Sequence, residues 1–253
     1  MTVIWYCLLT LGIATLFTMI GLGGGLVFSP LFIISGIPMA LAVSTSLLIN
    51  GLAALSASLA YMQKKMVNFK VALPLIVGSI TGAPFGARLT AHLNLKIIMG
   101  ILTVAMLFGA YRMAFSSEVV DEERSTKKYR FRRVAAGAGV GFFVGILGGM
   151  LGIGGGIFMV PLLIYVMQVS TRKAAATSTL ISASLSISGF ITHVSLGNYQ
   201  LGFTVPVAIA GIIGGQIGSR LMSQKLSGKF IRRLFAIVLG LMSIKMIQKI
   251  LSG

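Results

Sequence analysis

The sequence predicts an all-α polytopic membrane protein made of two homologous halves arranged as inverted repeats. Three observations carry that prediction: long uncharged apolar runs, a glycine-rich motif that occurs twice, and a lopsided distribution of basic residues. Hydrophobic residues make up 56% of the 253 and charged residues 10%, against about 25% charged in an average soluble domain. No charged residue occurs between Thr2 and Gln63. One helical span needs roughly 20 apolar residues, so this run holds more than one. In lipid, backbone polar groups must be satisfied internally, which only helices and closed barrels achieve. The runs are continuous rather than alternating, which selects helices.

The elements follow in order. The first apolar segment, 3–21, has neither a basic leader nor a clear small-residue cleavage pattern, so it is expected to be structural rather than a signal peptide. It runs into Gly21-Leu-Gly-Gly-Gly25, and a short apolar segment, 26–36, follows. Longer helices are expected at 39–62, 71–91 and 96–113. The polar stretch Ser116 to Arg133 holds all four acids, Glu118, Asp121, Glu122 and Glu123, and reads as a solvent-exposed linker. The plan then repeats as 134–151, Gly152-Ile-Gly-Gly-Gly156, a short segment at 156–168, and helices at 174–194, 203–222 and 229–250. At 1.5 Å per residue the short segments reach roughly 16–20 Å, too little for a core of about 30 Å. They are expected to be re-entrant or half-helices.

The halves match in detail. Pro30 pairs with Pro161, Thr45-Ser46 with Thr177-Ser178, and Pro74 with Pro206. Gly82-Ala-Pro-Phe-Gly86-Ala-Arg88-Leu89 pairs with Gly214-Gly-Gln-Ile-Gly218-Ser-Arg220-Leu221. Conserved order and nearly constant spacing define two repeats, 1–113 and 134–253, joined by a charged linker, 114–133.

Net charge is +17. The basic residues sit between or at the ends of apolar runs, as in cytoplasmic loops, so a nucleic-acid role is not expected. Counting each glycine-broken segment as two passages gives five per half and inverts the halves. One side then receives 17 of the 21 basic residues, whereas parallel halves leave the split nearly even. The inverted arrangement puts the linker in the cytoplasm and both termini outside it.

No Asp or Glu lies in any expected span. Cation transporters and proton pumps usually depend on intramembrane carboxylates. Metalloproteases and aspartyl proteases need ligands or paired acids that are missing here. No G-x-S-x-G elbow occurs for a serine hydrolase. No catalytic residue, metal or cofactor is therefore expected. Cys7 is alone and reads as a packing residue.

An anion fits what remains. Each GxGGG break precedes a helix, whose first turn offers unpaired N–H groups and a positive dipole end. The alternative for these glycines is close helix packing. Thr45, Ser46, Thr177 and Ser178 could donate hydroxyls to an oxyanion or bond neighbouring helices. Asn50 is a similar case, with Ser182 at its equivalent place. Arg88 and Arg220 could grip an oxyanion with a planar fork or snorkel to headgroups. Tyr61 and His193 occupy matching places near helix ends, where interface anchoring is expected, with His193 as a proton-linked switch the other reading.

The doubled GxGGG-x4-P with Val43-Ser-Thr-Ser46 and Ala176-Thr-Ser178 resembles the TauE/SafE family of sulfite exporter-like permeases, over nearly the whole chain. The resemblance implies a bacterial inner-membrane permease for sulfite, sulfonates or related organosulfur anions. The motif falls on Gly21, Gly23, Gly24, Gly25, Pro30, Thr45 and Ser46, and on Gly152, Gly154, Gly155, Gly156, Pro161, Thr177 and Ser178. Ser44 stands where the second half has Ala176, so the two half-sites are not equivalent. The function expected is a permease binding a small anion between the two breaks. An uncoupled anion channel and a non-transporting scaffold or assembly factor are the alternatives.

Overall fold

The computed structural model describes residues 2–20, 24–115, 131–163, 167, 169–222 and 228–252. Its regular structure is helical throughout: α1 (Thr2–Ile20), α2 (Gly25–Ile34), α3 (Met39–Gln63), α4 (Phe69–His92), α5 (Leu95–Phe115), α6 (Phe131–Leu151), α7 (Gly156–Pro161), α8 (Thr171–Ser195), α9 (Leu201–Met222) and α10 (Gly228–Ser252). Each apolar segment read from the sequence is a helix within a few residues. One boundary moves. Phe131 to Arg133 belong to α6 rather than to the linker. In the second short segment the α-helix gives way after Pro161 to a wider helical turn at residues 162 and 163, and 164–166 and 168 lie outside the described residues. Met167 N–H donates to Leu162 O at 3.1 Å and Val169 N–H to Leu163 O at 2.9 Å. Pro30 sits at the equivalent place inside α2 without ending it, so proline alone does not explain the wider turn. Residues 116–130, the body of the expected linker, lie outside the described residues.

The glycine breaks exist for a conformational reason. Gly24 (φ 98°) caps α2 and Gly155 (φ 73°) caps α7, both in the left-handed region. Side chains make that region costly, and only glycine visits it freely. The far end of α2 is closed by a charge: Lys249 Nζ of α10 donates to the carbonyl oxygens of Ile33 and Ile34. A cation suits the negative end of a helix dipole.

Small residues set the packing. In α4, a Cβ on Gly78, Gly82 or Gly86 would collide with the carbonyl oxygens of Ala138, Phe142 and Ile146 of α6. In return, a Cβ on Gly141 or Gly145 would lie 2.5 or 2.6 Å from the carbonyl oxygens of Leu75 and Ser79. Two glycine series at four-residue spacing thus interlock, and the backbones touch. In the same way Gly214 and Gly218 of α9 meet Leu11 O and Thr15 O of α1. The pattern maps onto itself when the halves are exchanged: α6 on α4 corresponds to α1 on α9, α8 on α4 to α3 on α9, and α7 on α8 to α2 on α3. Helices α3 and α8 meet at the centre in opposite chain directions, with Leu47 at Gly189 and Gly51 at Ile187.

Large apolar side chains cover the outer faces, among them Leu73, Val77, Phe85, Val104, Ile191 and Ile209. Met39–Gln63, Phe69–Thr90 and Arg172–Ser195 are long and apolar enough to cross a membrane. The apolar exterior and buried polar interior are the arrangement of an integral membrane protein.

Backbone contact between α4 and α6 leaves no room for a methyl group. Gly82→Ala and Gly86→Ala are expected to lower stability by about 1–3 kcal/mol each. Gly100, whose Cβ would meet nothing within 4 Å, is the control. Gly100→Ala is expected to be neutral or stabilising by up to about 1 kcal/mol, as alanine favours a helix over glycine. Thermal unfolding midpoints of the three purified variants in detergent check the order.

Candidate functional site

The two glycine breaks, far apart in sequence, meet at one buried point. A Cβ on Gly25 would lie 2.8 Å from Gly152 O. That approach strands backbone groups away from water, and α3 supplies their partners. The Gly25 N–H, an orphan at the first turn of α2, donates to Asn50 Oδ1 at 3.0 Å. Asn50 Nδ2 in turn donates to Ser186 Oγ of α8 at 2.7 Å. One turn earlier, Ser46 Oγ donates to Gly152 O at 2.7 Å, with Gly25 O at 3.3 Å. All three side chains are fully buried. An unpaired amide there would cost several kcal/mol, at roughly 2–7 kcal/mol for a buried polar group, so the partners are structurally required. Gly154 (φ 67°) passes directly over Asn50 Nδ2, where a Cβ cannot fit.

The residues singled out in the sequence divide into four groups. Gly24, Gly25, Ser46, Gly152, Gly154, Gly155 and Gly156 line or cap the two breaks. Gly21 and Gly23 lie outside the described residues. Thr45 and Thr177 are buried but bonded elsewhere: Thr45 Oγ1 lies 3.3 Å from Thr204 Oγ1 of α9, and Thr177 Oγ1 accepts the Asn68 N–H at 3.0 Å. For these two the interhelical alternative describes the geometry. Arg88 and Arg220 are exposed on α4 and α9, away from the buried centre.

Tyr61 and His193 depart from the expectation of interface anchors. Both are buried, at 1% and 0% exposure. Tyr61 donates its hydroxyl to Thr18 O at 2.8 Å, and His193 Nε2 lies 3.4 Å from Gly149 O. Each reaches the helix that precedes its own glycine break, and close packing of small residues draws both inward.

Ser29 and Ser186 are polar groups that the sequence reading missed. Asn50 was visible as a lone amide, but Ser186 was hidden because Ala54 fills its place in the other half. Ser29, Ser44, Ser178 and Ser182 are buried with hydroxyls that have no hydrogen-bond partner. A buried orphan hydroxyl costs about 1–3 kcal/mol. The centre therefore offers free donors. No carboxylate is buried among the described residues, and no cluster of His, Cys, Asp or Glu there could hold a metal ion.

Comparison with known proteins was made on the whole chain. The family model described as "Sulfite exporter TauE/SafE" matches residues 6–246. The chain is 28% identical over 257 residues to the "Probable membrane transporter protein YunE" of Bacillus subtilis, covering 93% of each chain. It is 28% identical over 229 residues to a "Probable membrane transporter protein" of Haemophilus influenzae, covering 89% of this chain and 87% of that one. It is 26% identical over 228 residues to the "Probable membrane transporter protein YfcA" of Escherichia coli, covering 89% and 82%. No solved structure matches the chain.

The Asn50 amide bonds both halves, one through each end of its carboxamide. Asn50→Ala is expected to lower stability by about 2–4 kcal/mol, since it strands the Gly25 N–H, frees Ser186 and leaves a void. Ser188→Ala removes only a bond from an exposed part of α8 to Ile80 O and should cost about 1 kcal/mol or less. Equilibrium unfolding of both variants in mixed micelles measures the difference.

Proposed function

The chain belongs to the sulfite exporter TauE/SafE family of membrane transporters, and from that premise we propose that it is a permease for a small anion bound between the two glycine-rich breaks. The substrate class is a sulfur oxyanion or an organosulfonate, with sulfite as one candidate. The observation that carries this reading is chemical. Ser29 Oγ, beside Gly152 where the breaks meet, and the Ser178 and Ser182 hydroxyls of α8 are buried without partners, and no carboxylate is buried among the described residues. A hydroxyl can donate to an oxyanion oxygen, and the start of α2 adds the positive end of a helix dipole. A bare cation would find no compensating charge there.

Gly24, Gly25, Gly152, Gly154, Gly155 and Gly156 let the backbone approach the anion, together with Gly21 and Gly23 of the first motif. Ser46 holds the breaks together, and Ser29, Ser178 and Ser182 donate to the bound oxygens. Thr45 and Thr177 fix neighbouring helices in place, while Arg88 and Arg220 raise the local anion concentration from the periphery. The contacts that join the halves close the site, so substrate passage requires the Asn50 and Ser46 bridges to open in turn on either side.

The repeats are inverted in this reading, in a bacterial cytoplasmic membrane, with the linker cytoplasmic and both termini outside. The opposite directions of α3 and α8 and the exchange pattern of helix contacts support it, as does the placement of 17 of the 21 basic residues on one side.

Two predictions follow from the site and its orientation. Ser178→Ala and Ser182→Ala remove hydroxyls with no internal partner, so stability should change by less than about 1 kcal/mol. Each should weaken anion binding by roughly ten- to a hundred-fold, the value of a hydrogen bond to a charged group. A thermal-shift screen over sulfite, sulfate, thiosulfate, taurine and methanesulfonate, followed by titration of the hit, reads both quantities. Normal binding by both well-folded variants would put the site elsewhere, and a scaffold would give no shift and no uptake in liposomes. For orientation, Met66→Cys should be shielded from an impermeant thiol reagent applied outside the cell and Asn198→Cys should react, both in a Cys7→Ser background. Labelling of the two from the same side contradicts the inverted arrangement.

A further inference from the structure

Among the matched positions at which the halves differ, Tyr61 and His193 differ in their chemistry. In the crossing of α3 and α8, Tyr61 packs with Ala57 and Ala176 in a small apolar cluster backed by Met66 and Val67. Its hydroxyl is satisfied by Thr18 O at 2.8 Å. Exchanging the halves turns Tyr61 into His193, Ala176 into Ser44 and Thr18 into Gly149. The helix register agrees. Leu47 touches Gly189, and α3 and α8 run in opposite directions, so one turn further brings Ser44 to the level of His193. His193 Nε2 lies 3.4 Å from Gly149 O, as the exchange requires.

Where the first end of the crossing is apolar and satisfied, the second holds two orphans. His193 Nδ1 and Ser44 Oγ are both buried, at 0% and 1% residue exposure, and neither has a hydrogen-bond partner. With Nε2–H donating to Gly149 O, Nδ1 of the neutral ring is a bare acceptor. Once protonated, it becomes a donor beside the Ser44 hydroxyl.

We propose that Ser44 and His193 form a proton-linked anion subsite: His193 Nδ1 takes one proton from solution, and the resulting N–H and the Ser44 O–H donate together to one oxyanion. This rests on the anion-permease reading and adds to it the coupling ion. The bookkeeping is simple: one proton is added to Nδ1 as one negative charge enters, and both leave together.

The charged and titratable groups on the surrounding elements do not displace the anion from this role. Helix α7 carries none. On α3 only Tyr61 titrates, at the other end of the crossing. On α6, Arg132 and Arg133 precede Gly149 by 16 or more residues, about 24 Å along the helix. Helix α1 contributes Tyr6 and Cys7, and α8 itself Arg172 and Lys173 at its start. Helix α4 carries Lys70, Arg88 and His92. Exposed Arg88 lies about two turns beyond the Ile80 carbonyl that accepts the Ser188 hydroxyl.

The test uses the full chain in nanodiscs and methanesulfonate, whose own charge is fixed between pH 5 and 8. Calorimetric titration in two buffers of different ionisation enthalpy counts protons taken up per anion bound. The expected result is one proton at the alkaline end, with affinity rising about tenfold per pH unit fall. His193→Gln should bind with no proton uptake and no pH dependence, and Ser44→Ala should lose affinity mainly at low pH. His193→Tyr, which installs the side chain of the other half, should behave as His193→Gln and guards against misfolding of that variant. Binding by the native chain without proton uptake, or uptake unchanged in both His193 variants, overturns the subsite while leaving the permease reading intact. No methanesulfonate binding at any pH, with no shift from the other sulfur anions either, overturns both.

Discussion

The hydrogen bond from the Gly25 N–H to the Asn50 carboxamide ties α2 to α3 at the point where the two glycine-rich breaks meet. Two glycine-rich breaks can approach to backbone contact only by stripping water from peptide groups that no helix satisfies. In an apolar interior that leaves a deficit of several kcal/mol, and packing alone cannot offset it. Asn50 answers it with both ends of its amide, accepting from α2 and donating to Ser186 of α8. Ser46 adds the matching bond to Gly152 O. The glycines at 25, 152 and 154 are then required by space, because a Cβ on Gly25 would meet Gly152 O, one on Gly152 Ser29 Oγ and one on Gly154 Asn50 Nδ2, and Gly152 and Gly154 are required by backbone angle as well.

Around that centre the helices are held by a different interaction. Glycine series at four-residue spacing bring α4 onto α6 and α9 onto α1 with carbonyl oxygens where side chains would normally be. Lipid supplies no hydrophobic drive for helices to associate, so close van der Waals contact has to do so. Each pair combines helices from both halves. The halves are consequently interlaced, and a motion that opens the centre must either slide these tight pairs or carry them as units. The latter leaves their interlocked backbones undisturbed and confines the change to the few hydrogen bonds at the breaks.

The symmetry between the halves holds for the backbone and fails for the chemistry. Asn50 faces Ser182, Ser186 faces Ala54, Tyr61 faces His193 and Ser44 faces Ala176 in the exchange of repeats. One half supplies the bridging amide and the other the imidazole, while both contribute buried hydroxyls that lack partners. A pathway used by one substrate needs only one copy of each polar group, and burying a second unsatisfied copy would cost about 1–3 kcal/mol without benefit.

The sequence by itself determined the helices, the breaks and the repeat. Those depend on local properties: uncharged runs long enough for lipid, glycines that accept left-handed backbone, and motifs returning at fixed spacing. Even the tight pairing of α4 and α9 was legible in Gly82-x3-Gly86 and Gly214-x3-Gly218, because small-residue spacing is itself local. The boundary that moves is also a local one, where Phe131 to Arg133 extend α6. Only the tertiary structure decided which polar groups meet. Thr45 turned to Thr204 and Thr177 to the Asn68 N–H, while Ser186, 136 positions away, became the partner of Asn50. Hydroxyls and amides in apolar helices look alike in a sequence, and each bonds whatever the packing of glycines brings within about 3 Å. That packing depends on contacts between halves, which no local spacing encodes.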